Sequence, residues 1–66
     1  MFRTNDTETA ITHIHTRMAD GRTRYEATVV LQRMMEDGAI VTKRGKLEIA
    51  DTLDFDAEYA NWRAGR

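Results

Sequence analysis

Residues 23–50 read TRYEATVVLQRMMEDGAIVTKRGKLEIA, and this stretch decides the fold. Thr23-Arg24-Tyr25-Glu26 is a capping box, a hydroxyl at the helix start with a carboxylate three residues on. Ala27, Val30, Leu31 and Met34 follow at i, i+3, i+4 and i+7, the stripe of a helix that buries one face. Gly38 stops it, because glycine takes a left-handed backbone at low cost. Ala39 to Ala50 then reads as a hairpin. Arg44-Gly45 suits a two-residue turn, and that turn pairs Lys43 with Lys46, Thr42 with Leu47, Val41 with Glu48 and Ile40 with Ile49. Ile40, Thr42, Leu47 and Ile49 then share one face, which a slip of one residue would scatter. Two lysines directly opposite each other beside Arg44 repel, unless an anion sits nearby.

Outward from this unit, residues 1–5 read as a loose lead-in. Asn5 and Glu8 form a capping-box variant that starts a helix over about residues 6–19, with Ala10, Ile11, Ile14 and Met18 on its apolar face. Asp20-Gly21 ends it. Asp54 is an N-cap for a last helix over about residues 55–64, with Asp56 and Glu58 in its first turn and Arg63 in its last. Phe55, Tyr59 and Trp62 fall at i, i+4 and i+7 and make an aromatic stripe. That stripe packs within the subunit or across a dimer, so these three are the expected interface residues.

A chain of 66 residues makes one domain, residues 1–66, with a small core. Hydrophobic residues at 41% and charged residues at 32% favour a folded domain over a disordered one. There is no Cys, hence no disulfide and no thiolate site, and two His give a poor metal cage. His13 and His15 on one helix point to different faces and do not chelate; His15 borders the core. No apolar run is long enough to cross a membrane, and Met1-Phe2-Arg3 leads straight into polar residues, so neither a leader nor an anchor is expected. A cytoplasmic location is the expectation. No catalytic set, phosphate loop, metal site or cofactor site stands out, and the chain does not read as an enzyme.

The net charge of −1 is unevenly spread. Arg22, Arg24, Arg33, Lys43, Arg44 and Lys46 make the centre basic, while Glu48, Asp51, Asp54, Asp56 and Glu58 make the C-terminal part acidic. One face is thereby suited to an anion and another repels it. Arg22 and Arg24 stand at a helix N-terminus, where cations are intrinsically unfavourable and an anion is welcome. The face of the second helix opposite its core stripe carries Tyr25, Val29, Gln32, Arg33 and Glu36.

Residues 25–53, YEATVVLQRMMEDGAIVTKRGKLEIADTL, resemble the recognition helix and wing of the DNA-binding domain in regulators of the cyclic-AMP receptor/FNR family. Met34, Glu36, Gly38, Ile40, Gly45, Leu47, Ile49 and Asp51 carry the likeness. It implies a small α+β winged helix-turn-helix-like domain of two helices, a β-hairpin wing and a C-terminal helix. It implies a DNA-binding transcriptional regulator, with Arg22, Arg24, Tyr25, Thr28, Gln32 and Arg33 at the duplex and Lys43, Arg44 and Lys46 on the backbone. A homodimer on double-stranded DNA is the expected assembly. The family's second reading Arg is Val29 here, which can touch a thymine methyl but makes no bidentate contact to guanine. The alternative is a protein-binding inhibitor on the same scaffold. Its size and acidity resemble those of phage- or plasmid-encoded factors that act on a host protein, anti-CRISPR proteins among them.

Overall fold

The computed structural model describes residues 1–19 and 21–65. The elements run β1 (Phe2–Thr4), α1 (Thr7–Arg17), α2 (Arg24–Glu36), β2 (Val41–Lys43), β3 (Lys46–Ile49) and α3 (Phe55–Arg63). This is a small α+β domain with a hairpin wing and a C-terminal helix. The strands form one antiparallel sheet in the order β1-β3-β2.

The helix starts follow from their caps. Thr23 accepts from the Glu26 amide, and the Glu26 carboxylate accepts from the Thr23 amide at 3.1 Å. Hydrogen bonds with Thr23 hold the Glu26 carboxyl below its ordinary range. At α1 the cap is Asp6, not Asn5. Its carboxylate accepts from the Glu8 amide and the Thr9 hydroxyl, and its own amide donates to the Thr4 hydroxyl. The strand before it fixes that choice, since Thr4 is the last residue of β1. α1 also ends two residues short of the expected Ala19. Met18 is already extended at ψ 143°, and the Ala19 amide donates to Asp56 in the first turn of α3. The expected stop at Asp20 lies outside the described residues.

The hairpin has the register that the turn dictates: Val41 opposite Glu48, Thr42 opposite Leu47, Lys43 opposite Lys46. Arg44 and Gly45 take φ of 52° and 76°, the left-handed pair that joins two twisted strands by two residues. Ile40, placed opposite Ile49 in the expected pairing, lies before the ladder begins. Ile40, Leu47 and Ile49 are buried, but Thr42 is exposed, because β2 is an edge strand whose three residues are all open to solvent.

Residues 1–5 are not a loose lead-in. Phe2, Arg3 and Thr4 pair with Ile49, Glu48 and Leu47 and close the other side of β3. Phe2 also stacks on His13 of α1, ring centroids 3.9 Å apart and planes within 3°. The core is Ala10, Ile11, Ile14 and Met18 of the first helical segment, Ala27, Val30, Leu31 and Met34 of α2, then Ile40, Leu47, Ile49 and Phe55. Both helical stripes are those that the spacing requires.

His13 is the sensitive point of this packing. Its Nε2 is buried without a hydrogen-bond partner among the described residues. Burial and the Arg17 guanidinium push its pKa below the usual 6.5, with Asp51 pulling the other way. The folded state therefore favours the neutral ring. The stability this contributes is complete above about pH 6.5 and is lost as pH falls through the lower folded-state value. Denaturation midpoints taken from pH 7.5 downward should fall, and His13→Phe should flatten that fall while keeping the stack on Phe2. Parallel curves for the two proteins would exclude His13 as the cause.

Candidate functional site

The outer face of the sheet is set by strand alternation. With Phe2, Thr4, Leu47 and Ile49 turned inward, Arg3, Lys46, Glu48, Val41 and Lys43 turn outward. Arg3 stands opposite Glu48, which stands opposite Val41, and Lys43 stands opposite Lys46. Arg3, Lys43, Arg44, Lys46 and Glu48 together line a concavity of about 410 Å³. Four cations thus surround one carboxylate. Arg3 Nε lies 4.0 Å from Glu48 Oε1. Among the described residues, Lys43, Arg44 and Lys46 form no ion pair. The hairpin holds two like charges opposite each other at an energetic cost, and a bound anion would remove it.

The remaining sequence-derived site residues are distributed differently. Arg22 is half-buried: it pairs with Asp56 at 3.4 Å and lies over the Tyr59 ring at 4.8 Å, and its carbonyl accepts from the His15 ring N–H. Arg24 reaches back to α1, where it meets Glu8 at 2.6 Å and the Thr12 hydroxyl at 2.8 Å. The N-terminus of α2 is thereby occupied by the chain's own groups, the Thr23 cap on its amides and carboxylates on its two arginines. Thr28 donates to the Arg24 carbonyl. Arg33 lies over Trp62 at 5.7 Å. Tyr25 is 76% exposed, and Gln32 is exposed beside it on the outward stripe.

The aromatic stripe divides as well. Phe55 is buried in the chain's own core, with Arg17 over its ring at 4.9 Å, and has no surface left for a second subunit. Tyr59 and Trp62 are half-buried against that core. Only the wing trio Lys43, Arg44 and Lys46 comes together as one charged site, and it gains Arg3, which sequence reading missed. The one signal for Arg3 was the alternation Phe2-Arg3-Thr4, too short to mark a strand by itself.

Among the described residues no three His, Asp or Glu side chains converge as metal ligands, and no helix is long and apolar enough to cross a membrane. The chain matches no family model, no curated protein and no solved structure.

Proposed function

We propose that the chain is a small DNA-binding regulator of winged-helix type that grips the phosphate backbone of a duplex with its wing. The observation that carries this reading is the set of Lys43, Arg44 and Lys46 without carboxylate partners among the described residues, facing one concavity with Arg3. Phosphate contacts of this kind supply affinity and orientation without sequence information. Base reading falls to Tyr25, Thr28 and Gln32 of α2, since Arg24 is held by Glu8 and Val29 offers only an apolar contact. Sequence preference is therefore modest and backbone affinity dominates.

The test is fluorescence anisotropy of a labelled mixed-sequence duplex, titrated with the chain from about 50 to about 200 mM salt. Four cations on phosphates give log Kobs against log salt a slope of roughly −3 to −4. No affinity for any duplex at the low-salt end sinks the proposal.

A further inference from the structure

A second surface lies on the flank of α2, apart from the wing. Tyr25, Val29 and Arg33 of α2 and Tyr59, Trp62 and Arg63 of α3 line a groove of about 340 Å³. Its apolar part is Val29 with the half-buried rings of Tyr59 and Trp62, and its wall is the exposed Tyr25. The two guanidiniums lie over these rings, Arg33 at 5.7 Å from Trp62 and Arg63 at 5.9 Å from Tyr59. Among the described residues neither Arg33 nor Arg63 has a carboxylate within ion-pair distance. In a chain of net charge −1, two arginines face an apolar groove with their fork-shaped donors unmatched by any carboxylate among the described residues.

We infer that this groove docks an acidic peptide segment of a partner protein, one apolar residue seated on Val29 within the groove and flanking carboxylates on Arg33 and Arg63. The planar guanidinium matches a carboxylate by two parallel hydrogen bonds, and it can do so while its face stays on a ring. Tyr, Trp and Arg around an apolar centre is the composition of a protein-binding surface. Two observations set other occupants aside. A stacked base would find an open ring only at Tyr25, since Arg33 and Arg63 lie over Trp62 and Tyr59. A second copy of this chain would have to offer its own acidic segment 51–58, whose apolar residues Leu53 and Phe55 are turned onto its own core.

Trp62 is the only tryptophan and reports directly on the groove. The experiment is a selection of random dodecapeptides displayed on phage against the full chain, followed by titration of the enriched peptides against Trp62 emission. The expected result is enrichment of peptides with carboxylates on both sides of a Leu, Phe or Trp, which shift Trp62 emission saturably. Arg33→Gln with Arg63→Gln should weaken them at least about tenfold with circular dichroism unchanged, and Lys43→Ala with Lys46→Ala should leave them as they are. No enrichment, enrichment of basic peptides, or affinity indifferent to Arg33 and Arg63 overturns the inference. So does a single-stranded oligothymidylate that displaces the peptides and depends on the same two arginines. The groove shares Tyr25 and Val29 with the face proposed to meet bases, so peptide and duplex would compete there, but the wing variants test backbone binding and the Arg33 and Arg63 variants test the groove, so either proposal can fail alone.

Discussion

Leu31→Ala is expected to remove about 3–5 kcal/mol of stability, a large part of what keeps the chain folded at 25 °C. Leu31 is 1% exposed and belongs to the core cluster that α2 shares with α1 and the sheet. Truncation of a buried Leu costs about 3–5 kcal/mol, because the transfer energy of the lost atoms and the cavity left behind add. A domain of this length holds roughly 3–10 kcal/mol in total. No disulfide limits the unfolded state, since the chain has no Cys. The substitution therefore removes a large part of the margin. The neighbouring Gln32→Ala, on the exposed stripe of the same helix, should stay within about 0.5 kcal/mol of the parent. Urea denaturation followed by circular dichroism separates the two. A cooperative transition for Leu31→Ala at the parent midpoint would mean that Leu31 is not packed as described.

That contrast between two adjacent residues was legible in the sequence, for a physical reason. Helical periodicity is a local code: Ala27, Val30, Leu31 and Met34 lie within two turns, and the capping box that starts them is four residues long. The hairpin was equally local, since Arg44-Gly45 fixes the register and the register fixes the faces. What the sequence concealed was non-local. β1 is three residues long and takes its identity from β3, far along the chain, so no periodicity within residues 1–5 announces it. The cap of α1 moved from Asn5 to Asp6 as a consequence, because Thr4 at the end of β1 holds the Asp6 amide. The site divides in the same way. Lys43, Arg44 and Lys46 cluster within one turn and were readable, whereas Arg3 joins them only through strand pairing. The basic centre of the sequence also overstated the free charge, for Arg22 and Arg24 are matched by Asp56 and Glu8 from other helices.

At the wing the proposed phosphate grip and the stability of the hairpin pull in opposite directions, and this gives the second large effect. The combined variant Arg3→Ala, Lys43→Ala and Lys46→Ala is expected to bind duplex DNA roughly a hundredfold more weakly at low salt, at about 1 kcal/mol for each phosphate no longer gripped. Its salt slope should fall by about three, one for each cation removed, and by the same amount on every duplex, since phosphates carry no base information. Arg44 is left in place so that the two-residue turn, with Arg44 at φ 52° and Gly45 at φ 76°, is unchanged in the variant. The free variant should be no less stable than the parent, and its denaturation midpoint should hold or rise. Lys43 and Lys46 oppose each other across the ladder, and the Arg3–Glu48 pair at 4.0 Å, with Arg3 63% exposed, contributes little. A general loss of structure would lower affinity and midpoint together, whereas a dedicated backbone grip lowers affinity while the midpoint stays or climbs. Unchanged affinity and slope in a folded variant would remove the wing from DNA binding, and a midpoint that falls with affinity would show that the three cations support the sheet.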